Sequence, residues 1–243
     1  VPMGCATSEP KTPLGYTENA KKAYEEAMEE FNSHNWIDAQ ALFREVKRKY
    51  TYSKYAKLAE LRIADADFEQ DKFGESMRGY RDFIKAHRSD AEEVAYARAR
   101  IAEAQYNLIG ESFILPTADE RDQAPILEAY RELKSFVHDY PEAKETKRIR
   151  ELLIDVTARL LRHELYVARF YLRNDNFDAV VSRVEYALRN FAGGVGSSSG
   201  QTEAPLVTSG LEAEALILLG ETRLKQHKWP EARTTFDSLL KTY

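Results

Sequence analysis

The chain has 243 residues, with 35 lysines and arginines against 40 acids, a net charge of -5, 43% hydrophobic residues, 11 glycines and 8 prolines. This is helix-forming material that excludes disorder of the chain as a whole, and its interspersed charges make nucleic acid a poor partner. No apolar run approaches the roughly 18 to 20 residues that cross a bilayer as a helix.

In chain order, residues 1–16 read as a tether. Val1-Pro2-Met3-Gly4-Cys5-Ala6 looks like the end of a bacterial lipoprotein signal, in which small residues precede a lipidated cysteine. The competing reading of Cys5 is an ordinary exposed cysteine in a polar tail, and as the single cysteine it cannot form an internal disulfide. Residues 17–33 form a first predicted helix, with Ala20, Tyr24, Ala27 and Phe31 on one face. Residues 35–49 pair with it. Residues 55–70 and 73–87 make a second hairpin, and 91–109 with 122–140 a third, separated by a loop expected to contain Gly110, Pro116 and Pro125. A long helix over 144–173 keeps Ile149, Leu152, Val156, Leu160 and Val167 at helical spacing, and Asn174-Asp175-Asn176 turns it into a helix over 177–190. The glycine- and serine-rich stretch 193–200 reads as a surface loop, with poor order expected up to Gly210. Residues 211–226 and 230–243 make a fifth hairpin, with Pro230 at the tolerated first helical position, and Tyr243 matches Tyr50 of the first repeat.

These hairpins are repeats. Asn35-Trp36-Ile37-Asp38-Ala39 recurs as Lys72-Phe73-Gly74-Glu75-Ser76, Asn176-Phe177-Asp178-Ala179-Val180 and Lys228-Trp229-Pro230-Glu231-Ala232, and a weaker copy runs from Ala124 to Tyr130. The first two copies lie 37 residues apart, close to the roughly 34 of a tetratricopeptide unit. The fold class is therefore all-α, a tetratricopeptide-repeat solenoid of about five helix-turn-helix units. The small residue at Ala39, Ser76, Ala179 and Ala232 permits close helix approach, and the aromatics fill the space between hairpins. Residues 17–140 group as repeats 1–3, and residues 141–243 as repeats 4–5 with a flexible loop over 193–210.

No catalytic constellation emerges. His163-Glu164 begins a zinc-protease pattern, but position 167 is valine where the second histidine belongs, and five scattered histidines with one cysteine assemble no standard zinc set. Gly193-Gly194-Val195-Gly196 follows a helix and lacks the lysine of a phosphate loop. Ser238-Leu239-Leu240-Lys241 stands without the companion motifs of penicillin-recognising enzymes. The expectation is a protein without cofactor or metal that works by binding other proteins, as stacked repeats do. Tyr50, Tyr52 and Tyr55 cluster between repeats 1 and 2, where they either stack on a bound peptide or pack between repeats.

The fourth repeat makes this reading specific. The stretch from Arg159 to Tyr171, which contains His163-Glu164-Leu165-Tyr166-Val167-Ala168, continues into Phe177-Asp178-Ala179-Val180-Val181-Ser182-Arg183-Val184-Glu185. It resembles the BamD (ComL) family, in which a long helix carrying a glutamate, valine-alanine and tyrosines leads into an alanine-valine-valine and arginine-valine-glutamate helix. The resemblance implies a lipoprotein at the periplasmic face of the outer membrane, anchored through Cys5. It implies C-terminal repeats docked on the POTRA domains of BamA, N-terminal repeats receiving the C-terminal strand of unfolded barrel substrates, and other lipoproteins of the same machine as partners. Arg183, with Glu185 beside it, matches the family arginine that faces BamA. A guanidinium suits a bidentate pair with a partner carboxylate, and pairing of Arg183 with Glu185 or another intrachain acid is the competing use. Tyr50, with Tyr52 and Tyr55, falls in the substrate-receiving region. Ile37 departs from the family there, standing where one branch has an arginine. The alternative is a generic periplasmic repeat adaptor, of the pilotin or cell-envelope division kind.

Overall fold

The computed structural model describes residues 13–110, 122–191 and 210–243. The described residues form ten α-helices and no strand: α1 (Pro13–Asn32), α2 (Trp36–Lys49), α3 (Lys54–Glu69), α4 (Phe73–Ala86), α5 (Ala91–Asn107), α6 (Ala124–Asp139), α7 (Thr146–Arg173), α8 (Phe177–Phe191), α9 (Glu212–Lys225) and α10 (Trp229–Thr242). Each coincides with an expected helix to within two residues at most ends. The exception is α1, which begins four residues early, at Pro13, the first-turn position where a proline's missing N–H costs nothing. The fold is all-α and tetratricopeptide-like. Two compact units divide inside α5, one ending at Ala104 and the other beginning at Gln105. The grouping into residues 17–140 and 141–243 follows repeats rather than compactness.

One backbone device recurs at four hairpin turns. His34, Asp71, Asp175 and His227 take positive φ of 64, 58, 54 and 59°, each two residues before the repeat aromatic. At each, the residue after it donates its N–H back across the turn: Asn35 to Glu30, Lys72 to Asp67, Asn176 to Tyr171 and Lys228 to Arg223, all at 2.9–3.0 Å. This is a Schellman closure, which satisfies the last carbonyls of the first helix and reverses the chain.

In the unit ending at Ala104, α1 packs on α2, α3 on α2 and α4, and α1 lies beside α3. Phe43, Val46, Ala27, Ala39 and Ala59 form one core, and Phe83, Tyr80, Leu61, Ala97 and Ile101 a second that brings in α5. The small-residue rule holds, since Ala39 and Ser76 are completely buried. Gly79 extends it: a methyl group there would come within 2.9 Å of Ala64. In the unit from Gln105, α7 packs on α6 and α8, α9 on α8 and α10. The core face of α7 is Ile149, Leu153, Val156, Leu160, Leu161, Leu165 and Ala168, with Leu152 and Val167 only partly buried. The expected stripe was therefore offset by one residue at each of those two positions. Ala232 is fully buried and Ala179 partly so.

Candidate functional site

The tyrosine-bearing junction sits between α2 and α3. Tyr50 caps α2 by donating its N–H to Val46, Thr51 Oγ1 donates to the carbonyls of Lys47 and Arg48 at 3.2 and 3.3 Å, and Ser53 Oγ accepts from the Ala56 N–H to start α3. A turn closed at both ends holds its side chains in fixed directions. Those directions differ. Tyr50 meets the Tyr16 ring edge-on at 5.4 Å, and Tyr55 lies 5.6 Å from Tyr24, both half-buried against the first core. Tyr52 is 96% exposed.

Tyr52 lines a cleft of about 610 Å³ with Arg44, Lys47, Arg48, Lys54, Lys57 and His87, where Glu60 is the one acid. Lys47 pairs with Glu60 at 3.1 Å, His87 reaches the same carboxylate at 3.0 Å, and Lys57 pairs with Asp90 at 2.9 Å. The Asp90 hydrogen bond raises the Lys57 pKa above its ordinary value. Among the described residues, Arg44 has the neutral Gln40 amide at 3.3 Å as its one side-chain partner and Lys54 has the Tyr55 ring. These two cations and the Tyr52 ring are thus available to a carboxylate or an extended chain. Tyr50 faces a separate hollow with Lys22, Glu26, Glu45 and Lys49, so the three tyrosines do not share one groove. Ile37 is 74% exposed.

Behind the junction lies a network that sequence reasoning missed. Asp65 is 1% exposed and accepts hydrogen bonds from Arg62, from the Tyr80 hydroxyl and from the Tyr96 hydroxyl, the last at 2.9 Å. α3, α4 and α5 thus meet on one carboxylate, and α1 joins through Arg62, which also reaches the Tyr24 hydroxyl. Burial, then the Asp65 charge, pushes the phenols of Tyr80 and Tyr96 above their ordinary values. Arg100 stands 3.8 Å from Asp65, pairs with Glu69 and Glu103 at 2.9 Å, and covers the Phe68 ring at 3.6 Å. An acid set between two alanines of α3, Ala64 and Ala66, was the available signal.

In the other unit, Arg183 lies on α8 with its side chain 45% exposed, and its Nη1 is 3.4 Å from Glu164 of α7, which is 9% exposed. The intrachain acid is therefore Glu164. Glu185 instead accepts from Arg223 of α9 at 2.5 Å, a strut reinforced by Gln226, which caps α9 and donates to Asp178 at 2.7 Å. The arrangement holds α8 between its neighbours and leaves the Arg183 side chain nearly half exposed. Cys5 and, apart from Gly210, the segment expected as a flexible loop over 193–210 lie outside the described residues. Among the described residues no group of three or more His, Cys, Asp or Glu could hold a metal, and no helix is long and apolar enough to cross a membrane.

Residues 17–199 match the family model YfiO, described as an outer membrane lipoprotein. Three curated relatives carry the description outer membrane protein assembly factor BamD. The Vibrio cholerae protein is 22% identical over 90% of this chain and 88% of its own length. The Caulobacter vibrioides protein is 25% identical over 74% and 57%, and the Neisseria meningitidis protein 21% identical over 71% and 66%. The chain thus spans about two thirds or less of two of these three relatives. With three quarters of its length matched by the family model, the chain belongs to the YfiO family of outer membrane lipoproteins, the BamD family that its fourth repeat resembles.

Proposed function

We propose that this chain is a non-enzymatic scaffold lipoprotein of the outer-membrane β-barrel assembly machine. It sits at the periplasmic face of the outer membrane, held there through Cys5, beside the machine's other lipoproteins. It docks on the POTRA domains of BamA through the α8 surface around Arg183, and it helps receive unfolded barrel substrates at the α2–α3 junction. The observation that carries the docking is the half-exposed Arg183, oriented by a nearly buried Glu164 on a helix braced by the Glu185–Arg223 strut. A guanidinium fixed on one side presents its remaining N–H groups without further loss of side-chain entropy, which favours a bidentate contact with a partner carboxylate. In this reading Arg183 touches BamA and Glu185 positions it. At the junction, Tyr52 with Arg44 and Lys54 supports reception of a strand that ends in a carboxylate, while Tyr50 and Tyr55 hold the turn in place.

Co-purification of the chain with the periplasmic domains of the matching BamA tests this, comparing wild type with Arg183→Glu and with Arg81→Glu, an exposed charge in the second repeat. Wild type and Arg81→Glu capture the domains, and Arg183→Glu, with unchanged helical content, does not. Absence of capture by the wild type would overturn the assignment and leave a periplasmic repeat adaptor with another partner.

A further inference from the structure

The unit from Gln105 carries a second surface that the docking reading does not use. Arg162, Tyr166, Arg169, Phe170 and Arg173 fall on α7 at spacings that gather them within roughly 100° of helical arc, since each residue turns about 100°. All five are exposed, Tyr166 by 37% and Phe170 by 53%. The opposite side of the helix is the core face, and it holds Glu164, the residue that Arg183 contacts. The α7 face and Arg183 therefore address different directions.

The charge of this face is unusual for the chain. Within α7, seven lysines and arginines outnumber three acids, in a protein whose net charge is -5. Arg169 is paired with Glu214 of α9, but neither Arg162 nor Arg173 has an ion pair among the described residues. The Arg169 pair also sets α9 alongside, and one turn beyond Glu214 that helix carries Ile217, itself 42% exposed. Aromatic rings standing between unpaired guanidiniums suit a partner that offers both apolar side chains and carboxylates.

We propose that this arginine and aromatic face of α7 is a docking surface for an acidic segment of a partner protein that carries apolar side chains. A membrane is a poorer fit, because the continuous apolar side of α7 is already buried in the bundle and an interfacial helix needs that side free. The chain's own 192–209 segment is a poorer fit too, with Glu203 its one acid in 18 residues.

A photoreactive phenylalanine analogue at position 170 of the full lipoprotein, in its native cells, tests this, with the same group at Ser182 on α8 as the control. Sequencing of the cross-linked peptides is expected to return segments rich in Asp and Glu with interspersed apolar residues. Their yield should fall on the order of tenfold in Arg162→Glu/Arg173→Glu and persist in Arg183→Glu. That persistence separates this surface from the BamA contact. Cross-links that are absent, that reach only lipid or this chain's own residues, that carry no excess of acid, or that ignore the double reversal would overturn the proposal.

Discussion

Replacement of Asp65 by alanine is the sharpest probe of the unit that carries the α2–α3 junction. Asp65 is 1% exposed and accepts from two phenols and one guanidinium. Its loss does not orphan every partner equally. Arg62 is 30% exposed and can turn to water, and Arg100 keeps Glu69 and Glu103. The Tyr80 hydroxyl, fully buried, loses the one acceptor it has among the described residues. Breaking a buried pair costs about 3 to 5 kcal/mol, and the partial escape of the arginines places Asp65→Ala near the lower end, about 3 kcal/mol. Asp65→Asn keeps an acceptor oxygen and should cost about half as much. The chain has two tryptophans, one in each unit, so a Trp229→Phe background leaves Trp36 to report on this unit alone. With a urea slope of about 2 kcal/mol/M, the midpoint followed by Trp36 fluorescence should drop by about 1.5 M. A shift below about 0.25 M, the range of an ordinary surface substitution, would refute the network's role.

Other consequences follow from single contacts. A Cβ at Gly220 would come within 2.5 to 2.9 Å of the Phe236 ring, so Gly220→Ala should lose about 1 to 2 kcal/mol in thermal unfolding despite its better helix propensity. His34→Gly, at φ 64°, removes a side chain from the left-handed region and should raise the melting temperature by a few degrees, whereas glycine at helical Arg78 should lower it. The raised phenol pKa values of Tyr80 and Tyr96 contribute stability that is fully present below about pH 10 and is lost as pH climbs through the folded values. Urea midpoints measured from pH 8 to 11 should therefore fall at the alkaline end, and fall less steeply in Tyr96→Phe.

The fold was legible because its signals are local. Apolar spacing placed ten helices, and the aromatic-acid-small motif found the repeats. The turn geometry was less visible, since His34, Asp71, Asp175 and His227 adopt the conformation that glycine usually advertises. The α7 stripe drifted at Leu152 and Val167 because a helix packed successively on α6, α8 and α9 rotates its buried arc along its length. Site residues were legible by kind rather than by direction. Proximity in sequence brought Tyr50, Tyr52 and Tyr55 together, but residues at the end of one helix, in a turn and at the start of the next point apart. The partners of Arg183 and Glu185 required the packing of three helices, and so did the Asp65 network.

The central claim is that this chain serves barrel assembly through its docking surface, and depletion in its native cells tests it most directly. The amount of folded, heat-modifiable barrel protein in the outer membrane should fall on depletion, recover with the wild-type chain and stay low with Arg183→Glu expressed to the same level. Undiminished barrel protein after depletion, or full recovery with Arg183→Glu, would contradict the account.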